Sequence, residues 1–268
     1  TTAGALITLD SNNKVTNLGT LATVGVNGST GVLILGGKTG SVTNSSAISL
    51  TEDYTATDTD SDGDIDGPFA QGSDRFGVRL TGPGAFTGDI THDSAGTISI
   101  EGNNSAGISL ESQLIGNLTS AGSISVLGDN SKGVRVAAPV TGKVTLGGTI
   151  SVQGANAVGA AIDSNVTGPI TLQGAISSTG YRYTSRPGTT AVDKLDSDDL
   201  LQGGPAVRIG GDVTGGVLLQ GSNSATAVSA DGATVVTTVT TSSTSGASSI
   251  TTYGGAPALL IGSATQAV

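Results

Sequence analysis

The densest chemistry in this chain lies in one short run, Asp58-Thr59-Asp60-Ser61-Asp62-Gly63-Asp64-Ile65-Asp66. Carboxylates at alternate positions, with glycine after the third, let a chain curl so that hard oxygen ligands converge on one cation. The spacing matches positions 1, 3, 5, 6 and 9 of a calcium loop, with Ile65 at the usual apolar position 8. Phe69 stands where an EF-hand carries its bidentate glutamate, and no helical pattern flanks the run, so it is not an EF-hand. Asp58, Asp60, Asp62 and Asp66 are the expected side-chain ligands of Ca2+, and Asp64 the expected backbone-carbonyl ligand. So many carboxylates in so short a run repel one another, which favours a bound cation over the alternative, a solvated acidic turn. Such an ion would stiffen the loop and activate no water.

That run resembles the helix-free calcium loops of dockerin and thrombospondin-type repeats, where a remaining ligand comes from elsewhere or from water. A second acidic cluster, Asp193, Asp196, Asp198 and Asp199, fits no metal-loop spacing and reads as a turn or a short helix start. Tyr181-Arg182-Tyr183 and Arg186-Pro187 place aromatic and cationic groups near it, for packing or for ligand recognition. His92 has no Ser, Cys or metal-spaced partner and reads as a surface or core residue. Arg79, Arg135 and Arg208 each take the third position of a Gly/Ala-Val-Arg-apolar strand. Alternation points them to solvent, where they could form a broken row.

The elements that position these groups follow from a repeat. Gly107, Gly133 and Gly159 open three uninterrupted copies, each 26 residues after the last. Two further short apolar strands follow inside each copy, such as Val144-Thr145-Leu146 and Ile150-Ser151-Val152. A period of this length is the signature of a solenoid. Equivalent openings can be followed outward to Gly4-Ala5-Leu6-Ile7, Gly31-Val32-Leu33-Ile34, Gly77-Val78-Arg79-Leu80, Ala206-Val207-Arg208-Ile209 and Ala258-Leu259-Leu260-Ile261. The expected fold is therefore all-β, a single-stranded parallel β-helix of about eight turns with three strands in each, forming one domain over residues 1–268. Stacked at about 4.8 Å per turn, it would be a rod of about 40 Å. Gly116, Gly142 and Gly168 share one corner, where φ > 0 is expected.

Three stretches break the period as insertions, at 53–75, 181–203 and 222–249. The first two fall at equivalent corners and the third at another. Insertions on a solenoid cluster where the protein meets a partner. Composition agrees: 43 glycines, 3% aromatic residues and no Cys, Met or Trp suit tight stacked strands. A net charge of −10 argues against nucleic acid, which needs a basic footprint. No apolar stretch is long enough for a membrane helix. The missing initiator Met and missing basic leader point to a mature or excised fragment. An enzyme acting on acidic polysaccharide would need paired carboxylates, or calcium with a basic residue, on one sheet face. Here the acids lie mostly in loops. The run Thr237-Thr238-Val239-Thr240-Thr241 raises an ice-binding surface, but regular turns do not repeat Thr-x-Thr in register.

The insert segments carry a resemblance. Asp53-Tyr54 through Asp66-Gly67-Pro68-Phe69-Ala70, Phe76-Gly77-Val78-Arg79, Tyr181-Arg182-Tyr183 with Arg186-Pro187, Leu195 through Gly204, Val213-Thr214-Gly215-Gly216 and Tyr253 through Ala258 together resemble the passenger regions of large alphaproteobacterial, sphingomonad-type autotransporters. The resemblance implies a right-handed β-helix exported by type V secretion and tethered at the outer membrane through a C-terminal barrel. It implies a non-enzymatic surface rod for adhesion or surface structure, with a polysaccharide or surface partner or end-to-end self-association. The alternatives are a carbohydrate-active β-helix, lyase or hydrolase, and an extracellular filament subunit.

Overall fold

A computed structural model describes residues 14–59, 61, 65–184, 188–220 and 248–262. They form three seven-stranded sheets in which every pairing is parallel and each strand's neighbours come from the turns below and above. The opening sheet runs from Thr30–Leu35 to Leu259–Ile261, the middle sheet from Lys14–Asn17 to Val217–Leu219, and the closing sheet from Leu21–Val24 to Ser249–Tyr253. This is a parallel β-solenoid, as the period required. Seven of the eight expected openings are strands or border them, and the Gly4 opening lies outside the described residues.

Alternation builds the core. In Thr149–Gln153 the inward Ile150 and Val152 are fully buried and the outward Thr149 and Ser151 are exposed. Because successive turns pair in register, Ile98, Ile124, Ile150 and Ile176 stack as one column, and Leu80, Leu110, Val136, Ile162 and Ile209 as another. These columns merge into one continuous apolar interior from Val15 to Ile209.

Two details depart from the expectation of three strands and flexible corners. A fourth strand of two residues appears on three turns, Phe86–Thr87, Leu114–Ile115 and Val140–Thr141. Gly116 and Gly142 have positive φ (152° and 154°), but Gly168 does not. What all three share is close stacking: a Cβ on Gly168 would lie 2.5 Å from the carbonyl oxygen of Gly142, and one on Gly116 would lie 2.1 Å from that of Gly88. The opening-strand glycines are also there for space. A Cβ on Gly107 would meet Cγ2 of Ile124 at 2.4 Å, so a glycine column lets the opening sheet close onto the isoleucine column.

The corner between the closing and opening sheets is the one from which two insertions leave. On regular turns it holds Asn104, Asn130 and Asn156 in the left-handed conformation (φ 53–56°), which asparagine tolerates. Asn103 and Asp129 accept hydrogen bonds, each 2.8 Å, from the backbone N–H of Asp129 and Ala155 on the next turn. At this same corner the chain leaves for the insertions at 53–75 and 181–203, four turns apart, or about 20 Å along the rod.

Candidate interaction site between two insertions

The first insertion is closed at its base by a buried ion pair. Glu52 accepts the backbone N–H groups of Gln71 and Gly72, both at 2.7 Å, and meets Arg75 at 3.2 Å. Arg75 is itself 1% exposed and also donates to the carbonyls of Val26 and Glu101. Above this base the chain doubles back, with Asp66 N–H donating to Thr57 O at 3.2 Å. Asp66 Oδ2 accepts from both the hydroxyl (2.7 Å) and the N–H of Thr59, and Asp58 Oδ1 accepts Ser61 N–H at 2.6 Å. The carboxylates at both ends of the acidic run are thus turned onto its own backbone. Asp60, Asp62 and Asp64 lie outside the described residues.

The second insertion reaches across to grip the first. Gly67 donates its N–H to Asp198 Oδ2 at 2.7 Å, and Arg182 Nη2 donates to Gly67 O. The Arg182 guanidinium stands 4.8 Å over the buried Phe69 ring and 3.3 Å from Asp198. Its Nε lies 3.7 Å from Oδ1 of Asp199, which is 3% exposed. Both backbone groups of Gly67 and one face of Phe69 are thereby taken by residues more than a hundred positions later. Arg182 was expected to pack on the rod or recognise a ligand; it packs, but on the other insertion. The Asp198–Asp199 segment is a turn, and a single helical turn, Thr189–Val192, precedes it.

The contact brings three carboxylates together. Asp66, Asp196 and Asp198 each offer an oxygen within 4.8 Å of the other two. The hydrogen bond Asp196 makes with Asp198 pushes its own carboxyl up. Burial pushes Asp198 up as well, but hydrogen bonds from Asp196, Gly67 N–H and Arg182 outweigh it and hold it below the usual range. The two carboxyls are therefore pushed in opposite directions, Asp198 being the charged partner of Arg182. The donor set is hard oxygen throughout and suits a hard divalent cation. The spacing of Asp193, Asp196, Asp198 and Asp199 alone gave no sign of this; the shared corner of the two insertions was the available signal.

The remaining candidate residues fall elsewhere. His92 is a core residue, at the end of a polar ladder inside the middle sheet. Asn17 donates to Asn44 at 2.7 Å, Asn44 donates to His92 Nδ1 at 3.0 Å, and His92 Nε2 donates to Ser123 O at 3.2 Å. These partners fix a neutral imidazole with its proton on Nε2. Arg79, Arg135 and Arg208 do form a broken row, on alternate strands of the opening sheet with Ser109 and Ala161 between them. Arg186-Pro187 and the Thr237 run lie outside the described residues, as does most of the 222–249 insertion, whose flanking strands belong to the middle and closing sheets. Among the described residues no helix is long and apolar enough to cross a membrane. No protein family, curated protein or solved structure matches this chain.

Proposed function

We propose that this chain is a non-enzymatic β-helical rod, a passenger segment at the cell surface that holds its insertions outward for adhesion or surface structure. The observation that carries the reading is the clasp of Gly67 and Phe69 by Arg182 and Asp198. A solenoid that only needed to be long would have no use for two insertions gripping each other over the same corner. Here the rod fixes their separation and the clasp turns two loops into one raised element. The likeness of the insert segments to sphingomonad-type passengers supports the surface location and the tether through a barrel.

Calcium belongs to the same proposal. The acidic run supplies ligands in the first insertion, and Asp66 lies beside Asp196 and Asp198 of the second. A cation there would brace the raised element and take no part in a reaction. Whole cells that make the native protein, treated with protease, give the test. Release of the rod, with a protected membrane-embedded remnant, is the expected result. A product that stays soluble in the cell interior refutes the surface role.

A further inference from the structure

On its outward face the opening sheet carries a hollow of about 550 Å³, whose rim at the closing–opening corner includes Asp74, Asn104 and Asn130. It exists because Ala106 stands between Phe76 on one neighbouring strand and Lys132 on the other. The missing side-chain volume leaves a depression two turns wide, about 10 Å, with Arg79 on one wall and Arg135 on the other. The two arginines differ in how they are held. Arg79 lies 4.1 Å over the Phe76 ring, and its Nε and Nη2 both donate to Glu111 Oε2, at 3.0 and 2.8 Å. Arg135 reaches Glu111 by one contact of 3.4 Å, and its side chain is 39% exposed.

The charge in the hollow does not balance. Arg79, Lys132 and Arg135 face Glu111 and Asp74, leaving one net positive charge in a chain whose total is −10. Burial, then the neighbouring Arg135 and Arg208, push the Lys132 ammonium below its usual range against the pull of Asp163, and its Nζ donates to Asn130 O. Asn104 and Asn130 add amide groups at the rim. Amides and a loosely held guanidinium suit a ligand with hydroxyls and one planar anionic group. The one aromatic ring in the lining, Phe76, is buried beneath Arg79 and offers no face for base stacking.

We propose that this hollow binds an acidic glycan, with one sugar carboxylate held by Arg135 beside Lys132. Arg208, two turns beyond Arg135, is already held by Asp163, to which its Nε and Nη2 donate at 2.9 and 2.8 Å, so Arg135 is the guanidinium left to a ligand. This goes beyond the display role, which would survive its failure. The test is calorimetric titration of the folded protein with tetragalacturonate, using neutral maltotetraose as the comparison. The acidic oligomer is expected to bind, less tightly as salt is added, and the neutral one not to bind. Arg135→Gln should weaken binding at least tenfold, and Glu111→Gln should tighten it severalfold by freeing both arginines. Absence of acidic-oligomer binding, equal binding of both oligomers, or an Arg135→Gln variant that binds like the parent would each overturn the proposal.

Discussion

Gly133→Ala tests whether glycine in the opening strands is there for space. A Cβ at this position would lie 2.2 Å from Cγ2 of Ile150, 2.5 Å from the carbonyl oxygen of Gly159 and 3.2 Å from Cγ2 of Val152. The first contact could be eased by a shift of Ile150, but that side chain is fully buried between Ile124 and Ile176. The second is backbone of a paired strand and cannot move without disturbing the ladder. Overpacking of this kind costs about 1–3 kcal/mol, and the backbone contact places this case near the upper end. For a chain of this size that is a fall in melting temperature of roughly 5–10 °C.

Two companions make the result specific. Gly19→Ala meets nothing within 4 Å and should leave the melting temperature within a degree or two. Ile150→Ala alone should cost about 2–5 kcal/mol as a cavity. Combined with Gly133→Ala, however, it removes the closest clash, so the double variant should lose about 1 kcal/mol less than the sum of the singles. Thermal unfolding followed by circular dichroism at 218 nm, a wavelength that reports β-structure, measures the four variants and the parent (~1 °C resolution is enough given the expected shifts). If Gly133→Ala melts with the parent, or the two changes simply add, the close-approach argument is wrong.

Other outcomes follow from the polar groups. Burial holds the His92 imidazole below its usual value of 6.5, opposed by its hydrogen bond to Ser123 and the charge of Asp93. The unfolded chain therefore takes up the proton first, so the stability it contributes is complete above about pH 6.5 and lost as pH falls through the folded value. Melting between pH 7.5 and 5.5 should show this decline, and His92→Leu should flatten it. Glu52→Gln leaves Arg75 buried without its carboxylate and should cost about 3–5 kcal/mol in denaturant unfolding. Arg182→Ala should speed proteolysis within 53–75 while global melting barely moves, and Arg182→Lys should not restore protection because it lacks the planar fork. Chelation should do the same to the first insertion; a large loss of global stability on removing calcium would contradict a local bracing role.

The solenoid was legible because its period is written in plain residues. Glycine at 107, 133 and 159 and alternating strands such as Thr149–Gln153 set both the turn length and the inward face. The clasp was not legible. Asp66 and Asp198 are 132 residues apart, and their meeting depends on how many turns separate two departures from one corner. Nor was the His92 ladder. Asn17, Asn44 and His92 stack on successive turns, but the spacings of 27 and 48 residues escape the period because an insertion lies between the last two. The arginine row could be read from alternation, whereas its acidic partners Glu111 and Asp163 follow the ends of other turns' strands and could not.

Why the solenoid tolerates such insertions can be argued from loop closure. A regular corner spans the few residues from Gly102 to Ser105, whereas 53–75 holds the same two sheets together through a much longer path. Closing the longer path costs only about 1.5 kcal/mol more, since the entropy grows with the logarithm of length. The in-register columns on either side are unaffected, so the insertion does not weaken the core it leaves from. What it does leave is a floppy loop, unless something else orders it. Glu52 and Arg75 order its base, and Phe69 and Ala70 lie down against the corner, where Asn103 donates to Ala70 O at 2.9 Å. Arg182 and Asp198 then order its far side from four turns away. Each of these contacts depends on the rigid spacing beneath it. Inserting or deleting one regular 26-residue turn between the two departures should therefore keep the fold and abolish the clasp, read as protease sensitivity of 53–75 in a rod whose melting is unchanged. Retained protection in such a variant would mean that the two insertions are ordered independently and that the rod does not set their meeting.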